Sequence, residues 1–328
     1  MPSSTGPTAP PLDERLREFL LKDSDASVRY RVLRELLGRP EDDPEVVAAR
    51  QEIGEKGWAA TILARQLPTG QWDSPGTTPE QLYRPKYTST IFSLLVLSEL
   101  GVTRARPGIE RAVELWRSAE GGPTGGLGGS SSEVCYTGNA LRMLVRFGFA
   151  GDPAARSCLD WLVAAQKDDG GWHCFPSEVG TLDCWEALAA FAVLPPAMRT
   201  AAVERSITRG AEFYLARELL NEGPAPYAPW TRLHYPNHYY YDLLVGLDVL
   251  TRLGYGEDPR LGPALDRLLE KRGPDGAWPL EALHPDLPPD EPYQIQTPFY
   301  SAALEYPGRP SRWLTVTALG ALRRAGRG

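Results

Sequence analysis

Six stretches of the chain are apolar on nearly every side of a helical turn: residues 27–37, 90–100, 140–147, 187–194, 243–253 and 313–322. A helix without a polar face is buried on both flanks. Between these segments run helices with a single greasy stripe. Leu261, Ala264, Leu265, Leu268 and Leu269 share one face, and Leu159, Leu162, Val163 and Gln166 share a face at the matching point of an earlier copy. The striped helices also start alike. Asp43 with Pro44, Asp152 with Pro153 and Asp258 with Pro259 each offer a side-chain cap followed by a proline at the first helical position.

Their ends repeat as well. Gln66, Gly70 and Trp72 give the pattern Q-x3-G-x-W, as do Gln166, Gly170 and Trp172; Arg272, Gly276 and Trp278 keep everything except the Gln. A glycine after a helix takes the left-handed conformation at little cost and stops it. The tryptophans recur at about twice a period of roughly 50 residues, the signature of a repeat architecture. Six buried helices alternating with six one-faced ones predict an all-α fold, an (α/α)6 toroid or barrel of six inner and six outer helices. It forms a single domain over residues 11–328, behind a disordered tail at 1–10. The alternative is an open solenoid of helical pairs. Closure is favoured because the segment at 27–37 has no outer partner unless residues 12–21 supply one beside the last repeat.

On these motifs the chain resembles the α/α toroids of squalene and terpene cyclases and of the protein prenyltransferase β subunits. Its Q-x3-G-x-W copies are similar to the QW motif of the cyclases, whose Gln and Trp tie the end of an outer helix to the next inner helix. The resemblance covers residues 11–328. Repeats near Gly121 and Asn221 lack the motif.

Composition narrows the function. A net charge of −7 disfavours nucleic acid as the main partner, because phosphate binding needs a basic face. No apolar run is long enough to cross a bilayer and the first residues lack the core of a secretory signal, so a cytoplasmic protein is expected. Four cysteines in 328 residues are too few for a disulfide scaffold. Cys158 falls in a striped helix and reads as core.

Connections from inner to outer helices are short, whereas the return connections are long and carry His173, His234, His238 and His284, with Cys135, Cys174 and Cys184 at matching depth. Loops of this kind on one face of a scaffold are where sites are built. Three thiols at neighbouring inner-helix starts, with His238 as a fourth ligand and His173 or Asp183 as competitors, form a candidate zinc site; buried unliganded thiols are the plain alternative. The aromatic residues Tyr136, Trp185, Tyr239, Tyr240, Tyr241 and Trp313 stand at inner-helix starts and, with Trp172 and Arg312, are candidates to line an apolar cavity. Packing between loops is the competing reading, and for Trp172 a structural role is favoured. Asp183 and Asp242 are candidate catalytic acids, or else helix caps.

The resemblance adds to this. Protein prenyltransferases hold a catalytic zinc through an Asp, a Cys and a later His, a trio that Asp183, Cys184 and His238 would match, with Arg84, Lys86, Arg309 and Arg312 for a diphosphate. Class II cyclases protonate an alkene with the middle Asp of D-x-D-D, which Asp183 matches without its flanking aspartates. The resulting expectation is a metal-dependent enzyme acting on an isoprenoid-like small molecule in the barrel cavity. The alternatives are a metal-free class II terpene cyclase led by Asp183, and a non-enzymatic toroid that binds a lipid or peptide.

Overall fold

The computed structural model describes residues 12–73, 75–84, 87–119, 133–223, 227–283 and 304–327. Residues 1–10, expected as a tail, lie outside these. The inner helices are α2 (Ala26–Arg31, continued by a π-helical turn at Val32–Leu36), α6 (Thr90–Glu99), α8 (Val134–Phe147), α10 (Glu186–Ala192), α12 (Leu243–Arg252) and α14 (Arg312–Arg324). The outer ones are α1 (Glu14–Leu21), the pair α3 (Pro44–Glu52) and α4 (Gly57–Leu63), α7 (Ile109–Ser118), α9 (Pro153–Ala164), α11 (Ala201–Leu215) and α13 (Gly262–Glu270). A short α5 (Pro79–Tyr83) precedes α6, and two residues of β1 (Trp278–Pro279) pair antiparallel with β2 (Pro310–Ser311). Helix α14 packs on α12 at one side and on α1 and α2 at the other, so the ring closes and the solenoid alternative falls away. As expected, α1 is the outer partner of α2.

The caps form where the sequence places them. Asp43 accepts from the Glu45 N–H at 2.9 Å, Asp152 from Ala154 at 2.8 Å and Asp258 from Arg260 at 3.0 Å. Each satisfies a donor that the first helical turn leaves without a partner.

The repeated motif is a set of identical bonds. The indole N–H of Trp72 donates to the carbonyl of Ile62 at 2.7 Å, that of Trp172 to Leu162 at 2.8 Å, and that of Trp278 to Leu268 at 2.7 Å. All three indoles are fully buried. Gln66 Nε2 donates to the carbonyls of Gly70 and Gly108, and Gln166 Nε2 to those of Gly170 and Ser206. The glutamine thus joins its turn to the next outer helix. The link to the next inner helix runs through the tryptophan backbone, which donates to Thr90 Oγ1 at 3.1 Å from Trp72 and to Thr315 Oγ1 at 3.0 Å from Trp278. In the third copy Arg272 Nε takes over the bond to the Gly276 carbonyl, which explains how the Gln can be lost there. Gly170 has φ +91°, and a side chain on it would run into the Arg209 carbonyl of α11.

Trp172→Phe is therefore expected to lower the unfolding free energy by about 1–3 kcal/mol, from one buried hydrogen bond and part of an indole's volume, and Gln166→Ala by about 1 kcal/mol. Urea midpoints at constant slope measure both.

Candidate active site

A cavity of about 290 Å³ lies inside the inner ring. At the level where the inner helices start, its wall is made by Trp185, His234, Tyr235, Asp242 and Trp313. Where they end, it is made by Arg31, Glu35, Glu99, Arg142, Arg146, Asp248 and Arg252.

Asp242 caps α12, its Oδ1 accepting from the Val245 N–H at 2.9 Å. Its Oδ2 accepts from the His234 N–H at 3.0 Å and lies 2.7 Å from His234 Nδ1. Both side chains are essentially without solvent contact, at 0 % and 1 % exposure. His234, Tyr235 and Trp185 line the same cavity, and both His234 ring nitrogens, Tyr235 Oη and Trp185 Nε1 have no hydrogen-bond partner among the described residues, Nδ1 meeting Asp242 as a close ionic contact. Burial pushes the Tyr235 hydroxyl well above its ordinary range, so it stays protonated. Trp313 stacks on Tyr235 with ring centres 4.8 Å apart, and the Arg31 guanidinium lies over the Trp313 ring at 4.5 Å. Its backbone is fixed by Glu305, whose carboxylate accepts from the N–H groups of Arg312 at 2.7 Å and Trp313 at 3.4 Å, and which burial pushes up to about 7.

The opposite end is a charged collar. Arg31 Nε and Arg252 Nη2 each lie 2.7 Å from a Glu35 oxygen, Arg252 and Arg324 share Asp248, and Arg142 and Arg146 share Glu99 at 3.1 and 3.4 Å. The inner helices finish here, and arginines offset the partial negative charge of their converging ends. Burial alone would raise Glu35, but Arg31 and Arg252 outweigh it and hold the carboxyl well below its usual range. Burial, then Arg142, brings the Arg146 guanidinium down to about 10. Arg142 also stacks on Trp185 at 4.8 Å.

The three sulfurs expected to converge do so, outside the cavity lining. Gly138 lets α8 and α10 touch, since a Cβ there would stand 2.6 Å from the Glu186 backbone. Cys184 Sγ lies 3.6 Å from Cys174 Sγ, and the Cys135 N–H at the start of α8 donates to Cys174 Sγ at 3.3 Å. Hydrogen bonds from Cys135 and Cys184 push Cys174 down to about 3, and those same bonds, with burial, push the other two thiols up. Glu186 is buried beside them, and neither carboxylate oxygen has a hydrogen-bond partner among the described residues; burial, then Cys174, pushes it up. The Cys174–Cys184 separation suits one edge of a tetrahedral thiolate site. His238, however, stacks on Tyr87 and meets Phe92 edge-on, and among the described residues no group of three or more His, Cys, Asp or Glu is arranged to hold an ion. The donors present among the described residues do not fit the expected zinc.

Other expected site residues are placed differently. Asp183 is exposed and accepts from Trp230 Nε1 at 2.7 Å; it neither caps α10 nor faces the cavity, because that helix begins three residues later. Of the eight expected substrate contacts, Trp185 and Trp313 line the cavity. Trp172 is the structural indole of its turn, and Tyr136 Oη accepts from Trp116 Nε1 at 2.6 Å. Tyr239 packs on Phe92, Tyr240 Oη pairs with Tyr87 Oη, Tyr241 donates to the Leu219 carbonyl, and Arg312 Nε donates to that of Phe19. Arg84 pairs with Glu80 on the surface, while Lys86 and His284 lie outside the described residues. Cys158 is core, as expected. The collar was not foreseen. Its trace in the sequence is a set of charges four apart inside otherwise apolar segments: Arg31 and Glu35, Arg142 and Arg146, Asp248 and Arg252.

No family model and no curated protein matches the chain. Among solved structures it is similar to the type II terpene cyclase MstE from Scytonema without ligand, at 17% identity over 96% of this chain and 97% of that one, with a TM-score of 0.47. It is similar also to a protein from Actinoplanes (18% identity, 95% and 98% covered, TM-score 0.45). A variant of MstE in complex with geranylgeranyl dihydroxybenzoate matches at 16% identity over 92% and 87%, with a TM-score of 0.44.

Because Glu35 titrates lower folded than unfolded, its share of stability is present above its ordinary value of 4.5 and is lost as pH falls towards the folded value. Glu35→Gln is expected to cost about 2–3 kcal/mol at neutral pH, removing the carboxylate that Arg31 and Arg252 share and leaving Arg252 with Asp248 alone, and to flatten the acid limb of stability against pH. Urea unfolding from neutral pH to about pH 3 reads both effects.

Proposed function

We propose that the chain is an acid–base enzyme for an isoprenoid-like substrate with a polar head, which exchanges a proton between substrate carbon and His234 Nε2 inside the barrel. The observation that carries this is the fully buried imidazole–carboxylate pair whose far nitrogen has no hydrogen-bond partner among the described residues and whose residue lines a cavity. Asp242 is the positioning residue. Two backbone N–H groups donate to its oxygens, and the 2.7 Å approach of Oδ2 to His234 Nδ1 favours a proton on that nitrogen during turnover, with Nε2 as the acceptor. Trp185, Tyr235 and Trp313 supply apolar walls whose π faces attract positive charge developing on a substrate. The collar offers guanidinium donors for the head, Arg142 and Arg146 outnumbering the one carboxylate they share. Asp183 has no part in this chemistry because it faces solvent.

The test is turnover and binding across linear isoprenoid alcohols, acids and diphosphates. His234→Ala is expected to lower kcat about 100-fold or more while binding of the best ligand changes little. Asp242→Asn keeps the helix cap, since Asn caps as well as Asp, yet is expected to lose activity through the wrong tautomer with little change in Tm. Unchanged turnover in His234→Ala, or no binding by any member of the panel, rejects the reading.

A further inference from the structure

The thiol cluster at the junction of α8 and α10 takes no part in the proposed proton transfer, and its arrangement has a chemistry of its own. Cys174 stands at the centre. Its sulfur receives the Cys135 backbone N–H from the start of α8 and faces the Cys184 thiol at 3.6 Å. Cys174 is half-buried, so small solutes reach it, whereas Cys184 is buried behind it. A helix N-terminus and donated hydrogen bonds stabilise negative charge on sulfur, and the thiolate is the reactive form.

We infer that Cys174 and Cys184 are a peroxide-reactive pair, Cys174 the attacking thiol and Cys184 the resolving one, which close to a disulfide beside the cavity wall. The pairing follows from three observations: the Cys174 sulfur is partly exposed and Cys184 is buried, the two sulfurs already touch, and among the described residues no group of three or more His, Cys, Asp or Glu is arranged to hold an ion.

The oxidant is a hydroperoxide. The Cys174 sulfur attacks its distal oxygen; an S–O bond forms, the O–O bond breaks, and the departing alkoxide takes a proton to leave as an alcohol, or as water from hydrogen peroxide. Cys184 sulfur then attacks the sulfenic sulfur; the S–S bond forms, and hydroxide leaves as water with the Cys184 thiol proton. Two thiols lose two electrons and the peroxide gains them. Since Trp185 follows Cys184 directly and lines the cavity, the bond would tether the 174–184 loop to that wall.

The experiment treats the full chain with hydrogen peroxide, alkylates it without reductant, and digests it after arginine, lysine and glutamate, so that cleavage at Arg142, Lys167 and Glu178 places Cys135, Cys158, Cys174 and Cys184 on separate fragments. A linked Cys174–Cys184 fragment pair is expected, and Cys184→Ser should instead leave Cys174 as a sulfenic acid trapped by dimedone. In untreated protein Cys174 should be alkylated at least about tenfold faster than Cys158, which burial pushes up to about 12. Equal rates overturn the inference. So do two free thiols after peroxide, a bond through Cys135 instead, or stoichiometric metal in the purified chain that protects all three sulfurs. None of these readouts depends on turnover, so failure here and failure of the proposed acid–base activity are distinguishable.

Discussion

An indole N–H held by a carbonyl ten residues upstream is the bond on which this ring depends. It occurs at Trp72, Trp172 and Trp278, always in a fully buried side chain. The consequence is geometric: the end of an outer helix cannot rotate relative to the strip of backbone that leads to the next inner helix. Burial makes the bond strong in effect, because breaking it would leave an indole donor and a carbonyl without water. Six inner helices then meet around one axis, and whatever they carry at their ends is brought to a common space.

That space is unusual in holding paired charges at one end and a buried imidazole–carboxylate pair at the other. Buried ions are costly unless they are paired and hydrogen-bonded. The collar meets this condition by sharing, each carboxylate serving two arginines, and Asp242 meets it with backbone donors and the His234 ring. Of the buried polar atoms without a hydrogen-bond partner among the described residues, the His234 ring nitrogens, Tyr235 Oη, Trp185 Nε1, Ser27 Oγ and Arg146 Nη1 belong to residues of the cavity wall, where a bound molecule would meet them. In a protein interior such atoms are rare enough to require a reason.

The sequence carries the architecture more legibly than the chemistry. Helices without a polar face are visible in the order of residues, and so are the Asp-Pro starts and the Gly-x-Trp stops, because each rests on local backbone preferences. The convergence of Cys135, Cys174 and Cys184 was also readable, since equal depth in successive repeats becomes proximity once the ring closes. What escaped was direction. His238 and Tyr241 sit at the right height but turn into the packing between loops, and Asp183 turns to solvent, because local chain path and not repeat phase sets where a side chain points. His234 was seen only as one more rim histidine; nothing short of the Asp242 contact, eight residues away, marks it out. The collar was hidden by the averaging that makes a segment read as apolar: Arg142 and Arg146 are a minority in α8, yet one helical turn aligns them.

The packing of α14 on both α1 and α2 has an implication for cooperativity. An open array of helical pairs has terminal units that shed one at a time, and its stability adds up neighbour by neighbour. A circle has no terminal unit. Excising any one pair would lay bare two greasy flanks at once, so the toroid cannot be shortened stepwise or lengthened by a spare copy; it exists as six pairs or not as this fold at all.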